Sequence, residues 1–144
     1  MNKHHKSRAS RTFSPIIPRL SESECVNLML APRLHLEMLL NATVITPYDL
    51  LSVVGVFNVA TALAYLNKDK RAITLYESVQ QSVLAIAQHG EDSPELRDHL
   101  RRVFNVADVY IVQQSRQNVL RAINLVEYQI KSGEGTTLMP VAMP

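Results

Sequence analysis

Glu91, Asp92, Glu95, Asp98 and His99 fall close together, with Glu95 and His99 one helical turn apart. Carboxylates and an imidazole at helical spacing are the raw material of a metal centre. A di-metal helical bundle, however, draws Glu-x-x-His pairs from two helices, together with further Glu residues. This chain contains no Glu-x-x-His. Acids at a helix start also have a simpler cause, the positive end of the helix dipole. No metal and no other cofactor is expected. Cys25 is the single cysteine, so no internal disulfide forms, and a reducing, cytoplasmic setting is the simple reading. Beside Val26 and Leu28 it reads as a small buried thiol. His35, between Leu34 and Leu36, reads as a core-edge histidine rather than a base. Four glycines leave no phosphate-cradling loop, and no G-x-S-x-G, P-loop or dinucleotide fingerprint is present. The expectation is a protein that is not an enzyme.

Charge suggests a different chemistry. Lys3, Lys6, Arg8, Arg11 and Arg19 precede the first acid, Glu22. They are five of the 15 basic residues, which leaves ten against all 13 acids. The formal +2 is therefore a +5 segment attached to a −3 body. Such a body is no nucleic-acid-binding domain on net charge, but the segment suits an anionic surface. Pro15 and Pro18 interrupt any helix there, so residues 1–20 are expected to be a disordered basic arm rather than a targeting peptide. Arg97 and Arg101, one turn apart, could extend the arm into a phosphate-facing stripe; a solvated charged face is the plainer reading.

Those residues must be positioned by helices, because glycine is scarce and Leu, Val and Ala are abundant. Ser21 and Glu24 form a capping-box pattern, and a first helix is expected over about 22–41. Pro32 would kink it or split it in two. Thr46-Pro47 starts a second helix, to about Leu66. From Leu50 to Leu66 it has no charge, so it should be buried. It is short for a membrane span, and Ser52, Asn58 and Thr61 also argue against one. Gly55 within it implies a close helix–helix approach, where a larger side chain would overpack. A third helix runs from the turn at 67–70 to about Gln88, closed by Gly90. Ser93-Pro94 starts a fourth, reaching about Lys131, with a break conceivable in the polar block Gln113–Asn118. Residues 133–144 read as a flexible tail.

Two local patterns resemble known families. Tyr48 to Val56 resembles the turn region of lac-repressor-type DNA-binding domains. That resemblance implies a recognition helix at Phe57–Tyr65, but those residues include no Arg, Lys or Gln to touch bases or phosphates. Ala64-Tyr65, Ala72-Ile73 and Tyr76-Glu77 are similar in order to a tetratricopeptide hairpin. The linker is short for that family and no second copy exists, so two plain antiparallel helices remain the better reading.

The expected fold is all-α: an up-down bundle of four helices, or five where Pro32 breaks the first, over residues 21–132. A last helix of roughly 37 residues would be about 55 Å long, more than a domain this size spans. Its distal half should then project, exposing Val119, Leu120, Ile123, Leu125, Val126 and Tyr128 as a partner interface. The expected function is a helical adaptor or regulator working by protein–protein contact, self-associating and also holding a protein partner of unknown identity. The alternative is a nucleic-acid-binding regulator using Lys3, Lys6, Arg8, Arg11, Arg19, Arg97 and Arg101.

Overall fold

The computed structural model describes residues 18–43, 45, 47–90 and 92–132, and the described residues form five α-helices. They are α1 (Glu22–Asn41), α2 (Pro47–Leu66), α3 (Lys70–His89), α4 (Pro94–Val112) and α5 (Arg116–Lys131). The fold is all-α, as the composition requires. Residues 1–17 and 133–144, Val44, Thr46 and Glu91 lie outside the described residues, and with them Lys3, Lys6, Arg8 and Arg11.

Short polar side chains set the helix starts. Ser21 Oγ accepts the Glu24 N–H at 3.1 Å, and the Ser21 N–H donates to Glu24 Oε1 at 3.2 Å, closing the capping box. Asp69, Ser93 and Ser115 cap α3, α4 and α5 by the first of these bonds alone, each side chain accepting the N–H three residues on. Gly90, at φ 64, ends α3 in the left-handed conformation that glycine adopts without steric cost.

α2 is the central element, and the other four helices all pack on it. The lack of charge from Leu50 to Leu66 is the cause, because only apolar or neutral groups survive contact on every side. Phe57 of α2 meets Phe104 of α4 edge to face, with centroids 6.0 Å apart. Tyr76 of α3 meets Tyr110 of α4 at 5.8 Å.

Four expectations need correction. Pro32 does not split the first helix: α1 is continuous, because Met29, Leu36 and Leu39 bury on both sides of the proline. The break comes instead in the last helix, at Gln113–Ser115, where Ser115 starts α5. α5 does not project. Val119, Ala122 and Val126 are buried, and α5 packs on α2. Val119 and Val126 are therefore occupied within the chain's own core, Ile123 and Leu125 are half-buried, and only Leu120 and Tyr128 are exposed. Gly55 makes no close approach: it is exposed, and an added Cβ would meet nothing within 4 Å. The chain does not turn at Gly55 either, since α2 runs straight through it, which removes the lac-repressor-type reading. Finally, residues 18–20, expected to belong to a disordered arm over 1–20, are held against the bundle. The Pro18 carbonyl accepts the Arg116 N–H at 2.9 Å, Arg19 bridges to Ser115, and Leu20 packs on the core.

Candidate functional site

Most arginines of the body are tied up in structure. Arg97 donates from Nη1 to the carbonyls of Leu40 (3.1 Å) and Ala42 (2.6 Å), and from Nε and Nη2 to Asp92 (3.0 and 2.7 Å). It thus supplies donors to the C-terminus of α1, which has no basic residue in its own last turn. The hydrogen bond from Arg97 holds the Asp92 carboxyl below its ordinary range. Arg33 of α1 reaches across to Asn105 (2.8 Å) and Asp108 (2.5 Å) of α4, and stacks 4.9 Å from the Phe104 ring centre. Arg101 faces Glu37 at 4.0 Å, Arg102 pairs with Asp98 at 3.1 Å, and Arg116 with Glu24 at 3.1 Å. The expected phosphate stripe through Arg97 and Arg101 is thus already matched by carboxylates, Arg97 closely and Arg101 loosely.

The acidic run at 91–99 disperses for the same reason. Asp92 and Asp98 serve Arg97 and Arg102, and the His99 ring nitrogen lies 3.5 Å from Ser78 Oγ. Among the described residues no three His, Cys, Asp or Glu side chains gather as a metal site. Cys25 is half-buried, its thiol 3.9 Å from the Leu20 carbonyl. His35 is exposed rather than at the core edge.

The core holds polar groups that do not ionise. Thr61 donates to the Phe57 carbonyl at 2.7 Å and accepts from Gln80 at 3.3 Å. Asn58 Oδ1 and the Tyr76 hydroxyl are buried with no hydrogen-bond partner among the described residues. Between α2 and α3, Tyr65 donates to Glu77 at 2.7 Å, and that bond raises the phenol's pKa.

Two surfaces stand out, the first not read from the sequence and the second expected only through Leu120 and Tyr128. The first is the outward side of α1. Val26, Leu30, Leu34 and Met38, each four residues from the next, are 51, 53, 55 and 70% exposed. Between Val26 and His35 the exposed residues of α1 include no Asp, Glu, Lys or Arg. Beside this helix, Leu28 and Pro32 of α1, Gly55 and Val59 of α2 and Ile123 of α5 line an apolar groove of about 230 Å³. The second surface is the outward side of α5, with Arg116, Gln117, Leu120, Arg121, Asn124, Glu127, Tyr128 and Lys131 exposed. The spacing of the apolar residues in α1 was visible. Nothing in that spacing separated those facing α2 from those facing water, because apolar residues occur all round the helix.

No helix among the described residues is long and apolar enough to cross a membrane. No family model, curated protein or solved structure matches the chain.

Proposed function

We propose that this chain is a non-catalytic adaptor or regulatory protein acting through protein–protein contact, and that its first partner is a second copy of itself seated on the outward side of α1. One observation carries the reading: four large apolar side chains, at least half exposed, aligned on one helix. Contiguous apolar exposure of this kind marks interaction surfaces. The choice of a second copy rests on charge. The exposed residues of that face from Val26 to Leu34 include no acid, Lys or Arg, and Arg33 and Glu37 beside it already face Asp108 and Arg101; a second copy therefore sets no unpaired like charges against each other across a two-fold axis, whereas a strongly charged partner would find little there to pair with. A lone cysteine suits the cytoplasm.

Sedimentation equilibrium of the full chain tests this. The wild type is expected to be a dimer in the micromolar range. Leu30→Glu with Leu34→Glu should give a monomer with unchanged helical circular dichroism, since both positions are exposed. A wild type that stays monomeric at high micromolar concentration defeats the reading. So does a variant that stays dimeric. Dissociation by Leu120→Glu with Tyr128→Glu instead would move the contact to α5.

A further inference from the structure

The exposed apolar stripe of α1 borders a groove. Val26, Leu30, Leu34 and Met38 step by four, so they form one inclined ridge on the helix surface. Cys25, Met29 and Arg33 form the neighbouring ridge on the side of α4, where Arg33 meets Asp108. Between the two ridges and Val112 of α4 lies an apolar groove of about 290 Å³, lined by Cys25, Val26, Met29 and Leu30. Its charged lining, Arg33 and Asp108, is already an ion pair. On the other side of the stripe the neighbours are Asn27, Ala31 and His35, two of them polar.

A second copy can lie along this stripe in two directions. With the two helices parallel, each residue faces its own counterpart, which sets the half-exposed Glu37 side chains against each other and Arg33 against Arg33. With the helices antiparallel and the two-fold axis midway between Leu30 and Leu34, residue i meets residue j and the reverse. Met38 then faces the partner's Val26, Leu34 the partner's Leu30, Glu37 the partner's Asn27 and Arg33 the partner's Ala31. No like charges meet, so charge favours the antiparallel direction. The ridge of each copy lies in the groove beside the ridge of the other, the commonest form of helix packing, with the axes crossing at roughly −50°.

We propose that the groove between α1 and α4 is filled by Met38 of a second copy, the two α1 helices running antiparallel about the two-fold axis. This rests on the self-association inferred for the outward side of α1, and adds to it a direction and the residue that completes the groove. Met38 is the most exposed of the four stripe residues, at 70%. Facing the partner's Val26, it lies at the end of the groove that Cys25, Val26 and Met29 line. Its unbranched thioether suits an irregular apolar gap. A cavity of about 150 Å³ holds a benzene molecule, so the groove has room for this side chain. Symmetry fills both grooves of the pair at once, and neither is complete in a single copy.

Chemical cross-linking of the full chain tests both parts, because Cys25 is the single cysteine and lines the groove. Met38→Cys adds a second thiol to α1. Residues 25 and 38 of one helix are about 20 Å apart along its axis, beyond the reach of a short bis-maleimide, so a link between them forms only between copies. At a concentration where sedimentation shows a dimer, Met38→Cys should become a covalent dimer, joined through Cys25 of one copy and residue 38 of the other by peptide mass. The wild type, and Cys25→Ser with Met38→Cys, should not cross-link, since like residues of antiparallel copies also lie about 20 Å apart. Val112→Trp, which fills the groove from α4 and leaves the stripe intact, should weaken dimerisation about tenfold or more. Circular dichroism confirms that each variant is folded, and Val112→Phe replaces Val112→Trp if that one is not. A dimer that links through like residues, or fails to link in Met38→Cys, overturns the inference and leaves self-association standing. Unchanged dimerisation of Val112→Trp does the same. A wild type that stays monomeric at high micromolar concentration overturns both.

Discussion

Tyr76 has the largest fully buried side chain of the core, and its hydroxyl has no hydrogen-bond partner among the described residues. Burial pushes its pKa far above the ordinary phenol value, with Tyr110 and Asp69 adding to the effect, so it stays neutral. An unpaired buried polar group costs about 1–3 kcal/mol. Tyr76→Phe should therefore stabilise the chain by about 1 kcal/mol in urea unfolding; a loss would mean that the hydroxyl is bonded in solution. The Arg97–Asp92 pair makes the opposite prediction, and one that depends on pH. Asp92 has a lower pKa folded than unfolded, so its contribution is present above the ordinary carboxylate range and disappears as pH falls through the folded value. Arg97→Ala should then lower the melting temperature more at about pH 7 than at about pH 2, with a residual effect at acid pH from the lost bonds to the Leu40 and Ala42 carbonyls. An equal loss at both pH values would show that Asp92 is not involved. The spacing of Arg97 and Arg101 allows a phosphate stripe only as the alternative to a solvated face, because spacing along one helix shows which cations are neighbours, but not which carbonyls another helix brings beneath them.

At the scale of elements, Gly55 reverses its expected role. A glycine inside a helix costs about 1 kcal/mol relative to alanine. With nothing within 4 Å of an added Cβ, Gly55→Ala should recover about that amount, read as a higher urea midpoint at unchanged m-value. Gly55→Leu should be tolerated, its side chain entering the apolar groove, where the sequence implied overpacking. The helix starts at Ser21, Ser93 and Pro47 were legible because caps and proline act over a few residues. The start of α5 was only half legible. Ser115 is as good a cap as Ser93, but no proline follows it, and the apolar series runs across the break without losing its phase. Pro32 misled in the opposite direction, since the core contacts of Met29, Leu36 and Leu39 hold α1 together against the loss of one backbone hydrogen bond.

At the scale of the whole molecule, the last residues before α1 belong to the bundle. Removing residues 1–17 should leave the melting temperature within a few degrees. Removing 1–20 also takes away Leu20 and the acceptor for the Arg116 N–H, together about 1–2 kcal/mol, and should lower it by about 5 °C. Equal melting of the two truncated chains would show that the anchor contributes nothing. By itself the sequence determined the helical class, the burial of α2 and most of the helix boundaries, because propensity, caps and the absence of charge act locally. Only the tertiary structure decided that Val119 and Val126 face inward, that Leu30 and Leu34 face water, and which cations lack a carboxylate. Periodicity states which residues share a side of a helix; whether that side meets a neighbour depends on the position of every other helix, above all on the turn that sets α5 against α2.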